Sequence, residues 1–326
     1  MDVGAVIRFL GEDWDRVGTM MSDYLRSDID LLNSTKDSIM SHKGKMLRPM
    51  LSLLMARAAA GGNATEDSIR FAAATEMLHN STLLHDDVVD GSTERRGHPT
   101  VSSILGSTGS VLVGDYWLVR AVKVILEASD NGGEVVRLFA KTLGDLAEGE
   151  MLQMQKAAVG DTSQDDYMRV IYSKTASLFE TACVSAVISV GGEERFVEAA
   201  REYGICLGLA FQIKDDILDY DGADLGKPTG VDIREQKITL PLLGALNNVD
   251  DERNRLVRKM VCDIHEHPEY VSRIVELVHD CGGIAYAEAQ LLEFVDKAKA
   301  AIAVLPDSRE KTMLGELAEY TAGRKS

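Results

Sequence analysis

The amino-acid sequence predicts an all-α fold, and three observations support that prediction. Only 6 prolines occur in 326 residues, while the good helix formers alanine, leucine, glutamate and methionine are plentiful. Apolar residues recur with helical periodicity from end to end. No sustained two-residue alternation bounded by hairpin turns, the pattern typical of strands, interrupts them.

The helix boundaries can be followed in order along the chain. Several breaks combine a glycine, which stops one helix, with a Ser, Thr or Asp that starts the next. Together they divide the sequence into at least ten helices. The breaks lie at residues 58–68, 89–99, 129–134, 159–166, 190–194, 220–230, 265–270, 280–283 and 305–308.

Composition points to one domain and to a soluble protein. Hydrophobic residues make up 45% of the chain and charged residues 27%, which is ordinary for a globular protein with a sizeable core. Linkers are short and no composition shift marks a boundary, so we expect a single domain over residues 1–326. The acidic N-terminus argues against a signal peptide, and no stretch has the length of a membrane span. The cytoplasm is the expected location.

Charge and cysteine content exclude some functions. The net charge of −17 argues against nucleic-acid binding, which needs a basic face. An acidic protein can still bind an anionic substrate where metal ions and local cations reverse the field. The cysteines lack metal-site spacing, so we expect reduced, buried thiols. They are Cys183, Cys206, Cys262 and Cys281.

Two predicted long helices end in the same pattern, D-D-x-x-D. One runs from Asp67 to Val89 and the other from Glu194 to Asp219. Carboxylates at a helix C-terminus oppose the helix dipole, so their repetition indicates that the charge is functional. Oxygen ligands without cysteine or histidine suit Mg²⁺. The predicted metal ligands are Asp86, Asp87 and Asp90 in the first cluster and Asp215, Asp216 and Asp219 in the second.

Basic side chains accompany both clusters. Arginine binds phosphate through two parallel hydrogen bonds and lysine as a point charge. Beside metal-type carboxylates, these cations outline a site for two polyanions, one bridged by metal and one held by cations alone. His79 shares a helix face with Asp86 and is expected to contact a diphosphate. His85 is expected to be structural or to support the residues that contact the ligand. The cations are Lys45, Arg48, Arg95, Arg96, Lys174, Lys214, Lys227 and Lys237, with Thr175 and Gln212 beside them.

These motifs resemble those of the all-trans polyprenyl diphosphate synthases, in the isoprenoid synthase class. The matching segments are GKMLRP, EMLHNSTLLHDDVVDGSTERRGHPT, GSVLVGDYWLVRA, YSKTASLFETAC, FQIKDDILDYDG and LGKPTGVDIREQKITLPLL, in the expected order. The resemblance implies a helical bundle around a deep central cavity, a homodimer and Mg²⁺ dependence. It also implies condensation of isopentenyl diphosphate with an allylic diphosphate, and a peripheral membrane contact for product release.

The resemblance also assigns roles to individual residues. All six aspartates would bind Mg²⁺ that bridges the allylic diphosphate. Lys174, Thr175 and Gln212 would act at the reacting carbon. The allylic substrate would contact Arg95, Lys174, Thr175, Gln212, Lys227 and Lys237, and isopentenyl diphosphate would contact Lys45, Arg48, His79 and Arg96. One departure is Gln236, where many members have glycine immediately before the lysine, here Lys237.

Three alternatives stay open at this point. The first is a short-chain farnesyl or geranylgeranyl diphosphate synthase, which differs in product length. A terpene cyclase would need no isopentenyl diphosphate site, against which Lys45, Arg48 and Arg96 argue. A non-catalytic partner subunit would be expected to have lost aspartates, and all are present.

The residues above the first cluster bear on product length. Short-chain members tend to carry aromatic residues at the positions of Ser81 and Thr82, or a two-residue insertion in the first motif, and this chain has neither. We expect the growing tail to run along the helix past Thr82, Leu78 and Thr75, giving about six to ten isoprene units. The floor would lie near Val111–Leu126. The alternative is that these small residues only allow close helix packing.

Overall fold

A computed structural model describes residues 2–42, 44–129, 132–221 and 230–324. Within these ranges the chain is built almost entirely of helices, so the all-α prediction with at least ten helices is confirmed. The helices are α1 (Val3–Leu10), α2 (Glu12–Tyr24), α3 (Asp30–Ser41), α4 (Leu47–Ala59), α5 (Glu66–Val89), α6 (Val101–Leu126), α7 (Gly132–Val159), α8 (Gln164–Ile171), a π-helical turn (Tyr172–Ala176), α9 (Ser177–Ser189), α10 (Glu194–Asp221), α11 (Val231–Arg234), α12 (Leu240–Leu246), α13 (Asp251–Cys262), α14 (Tyr270–Asp280), α15 (Gly283–Ala301), a 3₁₀ turn (Ile302–Val304) and α16 (Arg309–Gly323).

The predicted helix starts are realised by side-chain caps. Before α5, the Thr65 hydroxyl accepts a hydrogen bond from the Ser68 amide at 3.1 Å, and the Ser68 hydroxyl accepts one from the Thr65 amide at 3.0 Å. Such reciprocal bonds satisfy amides that have no partner inside the helix. Helix α5 therefore starts one residue before the predicted Asp67, and α10 extends two residues past the predicted Asp219.

A two-stranded hairpin follows α5. Its strands, β1 (Glu94–Arg95) and β2 (His98–Pro99), pair antiparallel, with Arg95 opposite His98. The connecting residues Arg96 and Gly97 have φ of 53° and 78°. Positive φ at both central residues is the geometry of a tight turn that matches the strand twist. The hairpin thereby presents two adjacent arginines just after the first aspartate cluster.

Contacts divide the chain into two compact units. The first comprises Met1–Ala140, Thr181–Arg201 and Val304–Leu314, and the second comprises Lys141–Glu180, Glu202–Ala303 and Gly315–Ser326. The single domain with a deep central cavity stays a prediction. No helix in the described ranges has the length and apolar character that a membrane crossing requires.

In the first unit, α5 packs against α2, α4 and α6. The Ser81 hydroxyl donates to the Gly114 carbonyl at 2.8 Å, and the Ser110 hydroxyl donates to the Leu84 carbonyl at 2.8 Å. These two bonds fasten α6 to the C-terminal half of α5, just above the first aspartate cluster.

In the second unit, glycines on α10 allow the π-helical turn and the start of α9 to approach closely. A Cβ added at Gly204 would lie 2.7 Å from Glu180 Cα, and one added at Gly208 would lie 2.4 Å from Ala176 Cα. Real Cβ atoms do not come this close to other backbone atoms, so both positions require glycine.

All four cysteines carry free thiols. Cys183 and Cys206 are buried, as predicted, but Cys262 and Cys281 are only half-buried. The prediction of burial is wrong for the latter two because they lie at the C-terminal ends of α13 and α14, where the chain turns at the surface.

Candidate active site

The first aspartate cluster lies on the last turn of α5. Asp87 is buried, and its Oδ1 accepts hydrogen bonds from Nε and Nη2 of Arg95 at 2.9 and 2.8 Å. Asp86 is half-buried and Asp90 is exposed. A buried carboxylate needs a charged partner, so Asp87 is held by Arg95, while Asp86 and Asp90 present the more accessible carboxylates.

A cavity of about 280 Å³ opens beside this cluster. Its polar wall includes Asp87, Arg95 and Arg96, and its apolar wall includes Leu84 and Leu105. The first unit therefore offers cationic and apolar surface side by side.

The predicted cations of the first unit gather around His79. The pKa of His79 lies well below its ordinary value. Burial is the largest cause, and the positive charge of Arg48 is the next. Arg96 and then Arg95 lower the same pKa further. The guanidinium of Arg96 also lies against Gly44, where an added Cβ would be 2.5 Å from its Nη1. Lys45, the next residue, is exposed. Arg48, His79 and Arg96 thus share one positive surface with Arg95, which the resemblance assigns instead to the allylic substrate.

An anion bound to this surface should protonate His79. Negative charge next to the imidazole opposes the arginine charges and raises the pKa of His79. We expect a neutral His79 at about pH 6.5 in the ligand-free protein and proton uptake when inorganic diphosphate binds. An NMR titration of the imidazole resonances with and without diphosphate measures this, with His279 on α14 as the control. A titration curve of His79 that diphosphate leaves unchanged would contradict the assignment.

The second cluster ends α10, and each of its three aspartates has different partners. Asp215 Oδ1 pairs with the buried guanidinium of Arg324 at 2.8 Å. Asp219 accepts the backbone amides of Val231 and Asp232 at 3.0 and 3.1 Å and so caps α11. Asp216 is buried, with each carboxylate oxygen accepting a side-chain hydrogen bond.

Burial disfavours the ionised form of the carboxylates in this cluster. It raises the pKa of Asp216 to about 6 and also raises the pKa of Asp219. Burial, followed by the charges of Asp216 and Asp219, raises the pKa of Asp232 well above its ordinary range. A divalent cation would relieve this crowding.

The donor set fits Mg²⁺ in chemistry. Among the described residues, no three His, Cys, Asp or Glu side chains converge tightly enough to enclose a metal ion by themselves. That is expected for Mg²⁺, which keeps several waters and takes one or two carboxylates together with phosphate oxygens of a substrate. The six aspartates as ligands stay a prediction.

Lys174 and Thr175 lie on the π-helical turn. Such turns widen a helix locally and are frequent at functional sites. Lys174 Nζ contacts Glu150 Oε2 at 2.5 Å and Gln153 Oε1 at 3.2 Å. The Thr175 hydroxyl donates to Gln212 Oε1 at 2.7 Å. The structure therefore brings Lys174, Thr175 and Gln212 together beside Asp216, as the sequence predicted.

A second cavity, of about 140 Å³, lies within the second unit. Lys174, Gln212, Asp216 and Lys237 all line it. Lys237 thus lies in the predicted group, and its ammonium pairs with Glu235. Lys227 falls outside the described residues.

Gln236 occupies a position that favours glycine. Its φ is 58°, in the left-handed region. The Gln236 side-chain amide donates to the Cys262 carbonyl at 2.6 Å, which holds the strained residue in place. The departure from the family pattern is therefore accommodated locally, and the following lysine keeps its place in the cavity wall.

Two residues of this site were not predicted. Asp232 lines the second cavity, and Tyr167 donates its hydroxyl to Asp216 Oδ2 at 2.7 Å. Neither belongs to a D-D-x-x-D motif or follows a charge pattern. Asp232 does lie within the matching segment LGKPTGVDIREQKITLPLL, which also contains Lys237.

The residues considered for the product tunnel divide into two groups. Ser81 is buried and bonded to α6, and Thr75 is buried with its hydroxyl on the Phe71 carbonyl. For Ser81 the alternative interpretation, close helix packing, therefore describes the contact. A tunnel past Thr82 and Leu78 stays a prediction. His85 lies against Gly114 and contacts Asp115 Oδ1 at 3.3 Å, in keeping with a structural role.

Comparison with known proteins identifies the family. The Polyprenyl synthetase family model matches residues 29–278. Octaprenyl diphosphate synthase of Escherichia coli (strain K12) is 37% identical over 99% of both chains. The all-trans-nonaprenyl-diphosphate synthase (geranyl-diphosphate specific) of Rhodobacter capsulatus is 33% identical, over 97% of this chain and 96% of that protein.

Solved structures agree with the sequence matches. The crystal structure of a decaprenyl diphosphate synthase from Rhodobacter capsulatus superposes with a TM-score of 0.93 at 34% identity, covering 100% of both chains. A polyprenyl synthase from Caulobacter crescentus CB15, complexed with calcium and isoprenyl diphosphate, gives 0.91 at 36% identity, covering 100% of this chain and 98% of that one. The resemblance seen in the motifs is thus confirmed, and the chain belongs to the polyprenyl synthetase family.

Proposed function

We propose that the protein is a Mg²⁺-dependent prenyltransferase that condenses isopentenyl diphosphate with an allylic diphosphate into a long all-trans polyprenyl diphosphate. The observation that best supports this is the second cavity, whose lining includes Asp216, Lys174, Lys237 and Gln212. The cations around His79 supply a separate anion-binding surface in the first unit. Its relatives are named for octaprenyl and nonaprenyl products.

Each group has a distinct part in the proposed reaction. Mg²⁺ held by the aspartates would neutralise the diphosphate that leaves the allylic carbon. Lys174 adds a point charge to that diphosphate. Thr175 and Gln212 turn oxygen dipoles toward the positive carbon left when the C–O bond breaks. A C–C bond then forms with isopentenyl diphosphate, the released diphosphate accepts the proton that is lost, and apolar walls keep water out.

The cations of the first unit would hold isopentenyl diphosphate. Arg48 and Arg96 provide guanidinium groups, and His79 adds a proton donor once it is charged. Lys45 is exposed on the same loop as Gly44, from which it can reach a bound anion. This division assigns different cations to different substrates.

Replacing Lys45 and Lys174 in turn by alanine tests which substrate each lysine binds. Lys45→Ala should raise the KM for isopentenyl diphosphate about tenfold and leave the KM for the primer nearly unchanged, because one charge-assisted contact is lost. Lys174→Ala should show the reverse preference. Steady-state kinetics with each substrate varied in turn provide the measurement. Equal effects of Lys45→Ala on both substrates would contradict the assignment.

The apolar surface of α6 supports a homodimer. Leu112, Val119 and Leu126 are 62%, 66% and 61% exposed and recur every seven residues. That spacing makes one continuous stripe, which is typical of a helix that pairs with another. We therefore place a second copy of this chain on α6. The cytoplasmic location and the peripheral membrane contact stay predictions.

Charge placed on the stripe should separate the dimer. Leu112→Asp with Val119→Asp should convert the particle from twice the chain mass to the chain mass, measured by light scattering after size exclusion. Leu256→Asp is the matched control, since Leu256 is a similarly exposed leucine on α13. A double variant that stays dimeric places the interface elsewhere.

Release of inorganic diphosphate tests the proposed activity against its alternatives. Condensation requires Mg²⁺ and both substrates together. A terpene cyclase would release diphosphate from the allylic substrate alone, and a non-catalytic subunit would release none. Folded protein that releases no diphosphate with any primer at any Mg²⁺ concentration would refute the proposal.

A further inference from the structure

Four side chains of the second unit form one continuous hydrogen-bonded chain. The Tyr167 hydroxyl on α8 donates to Asp216 Oδ2 at 2.7 Å. Asp216 Oδ1 accepts from Gln212 Nε2 at 2.8 Å. Gln212 Oε1 accepts from the Thr175 hydroxyl at 2.7 Å. Every link joins a single donor to a single acceptor, and both ends of this hydrogen-bonded chain donate toward the Asp216 carboxylate.

The donor and acceptor roles of its two neighbours fix the orientation of the Gln212 carboxamide. A side-chain amide offers a donor at one end and an acceptor at the other, and nothing intrinsic prefers one orientation. Because Asp216 can only accept when it is ionised, Nε2 of Gln212 must face it. Oε1 must then face Thr175, whose hydroxyl hydrogen is used in that bond. The lone pairs of Thr175 Oγ1 remain for another partner.

Tyr167 stabilises the arrangement at its far end. It is buried, with 3% of its surface exposed, and Asp216 is exposed to the same 3%. A buried carboxylate that lost this donor would be left with one unsatisfied oxygen. Gln212 Nε2 or a water could then shift toward that oxygen, and the orientation of the amide would no longer be unique.

We propose that Tyr167 is a positioning residue that acts through Asp216 and Gln212 to direct the Thr175 hydroxyl oxygen toward the reacting carbon. The proposal rests on the function proposed above for Thr175 and Gln212. It gives α8 a part in catalysis, with Tyr167, which also lines the second cavity, acting through its hydrogen-bond partners. Pre-set oxygen dipoles stabilise a developing charge without having to reorganise.

Removing one hydroxyl tests the proposal. Tyr167→Phe should lower kcat about 10- to 100-fold while the KM values of both substrates change less than about twofold, since misplacement of a group at the reacting carbon affects mainly the transition state. Tyr172→Phe is the matched control. Its hydroxyl is also partly buried, but it donates to Glu180 Oε2 at 2.8 Å. It therefore does not belong to the hydrogen-bonded series from Tyr167 to Thr175. This control should keep its kcat.

A double-mutant cycle with Thr175→Val distinguishes positioning from a general loss of structure. If Tyr167 acts through Thr175, Tyr167→Phe should reduce kcat little further once the threonine hydroxyl is gone. If Tyr167→Phe lowers kcat by the same factor in the Thr175→Val protein as in the wild type, the proposal is overturned. A kcat of Tyr167→Phe equal to that of Tyr172→Phe also overturns it. If Thr175→Val itself retains full turnover, the proposed function of Thr175 fails instead.

A second measurement needs no activity. The side-chain amide resonance of Gln212 should shift in metal-free Tyr167→Phe and stay in place in Tyr172→Phe, provided that thermal unfolding shows both variants to be folded. An unshifted Gln212 resonance in Tyr167→Phe shows that the tyrosine does not hold the amide, and overturns the proposal.

Discussion

Replacing Asp86 or Asp215 by alanine should lower turnover by a factor of about a thousand or more, because each change removes a carboxylate from a proposed metal site. The two variants should differ in stability. Asp86 is half-buried within an acidic cluster, so its loss relieves repulsion and leaves the free energy of unfolding unchanged or slightly higher.

Asp215→Ala should also destabilise the fold. The Arg324 side chain is 6% exposed, and its guanidinium also donates to the Phe211 carbonyl at 2.8 Å and lies 4.0 Å from the centre of the Phe211 ring. Removing Asp215 leaves this buried cation without its carboxylate. Since the Asp215 side chain is 43% exposed and water screens the pair, the expected loss is about 1–2 kcal/mol.

Diphosphate release and denaturant unfolding measure the two effects separately. Asp23→Ala is the control, because this exposed aspartate on α2 pairs with Arg26, three residues further along the same surface segment. An Asp86 or Asp215 variant with near wild-type turnover would remove that aspartate from the metal site.

Gly208→Ala should have the second largest effect, through the backbone. The added methyl would lie 2.4 Å from Ala176 Cα and 2.8 Å from Ala176 Cβ, so the π-helical turn must move. That turn carries Lys174 and Thr175. We expect turnover to fall about 100-fold and the free energy of unfolding to fall by about 1–3 kcal/mol.

Gly144→Ala is the matched control for this prediction. Gly144 lies on α7 in the same unit, and nothing lies within 4 Å of an added Cβ. Alanine there should leave turnover intact and stabilise the helix by up to about 1 kcal/mol. Wild-type turnover in Gly208→Ala would show that the close approach of α10 does not set the catalytic geometry.

The sequence predicted best what depends on local chemistry. Helix α5 begins where its cap and capping box place it, and α10 ends just beyond its aspartate motif. Arg95, which follows the first cluster closely in the chain, also lies beside it in the structure, where it pairs with Asp87. Caps, glycine stops and charge spacing all act within a few residues, so a single sequence reveals them.

Contacts between distant segments were not predictable in the same way. Tyr167 and Asp216 meet because α8 packs near α10, and Arg324 reaches Asp215 from the end of the described chain. The sequence also did not predict that the Ser81 side chain faces α6, because much of α5 is buried and has no polar face that would orient the helix. Such pairings follow from helix packing, which periodicity alone does not specify.

The most direct test of the proposed function is the mass of the product. Purified protein is incubated with isopentenyl diphosphate, an allylic primer and Mg²⁺, and the products are identified by mass spectrometry. We predict linear polyprenyl diphosphates of at least about six isoprene units, which grow only when both substrates and Mg²⁺ are present. A cyclic hydrocarbon, or a product that never exceeds three or four units, would contradict the account.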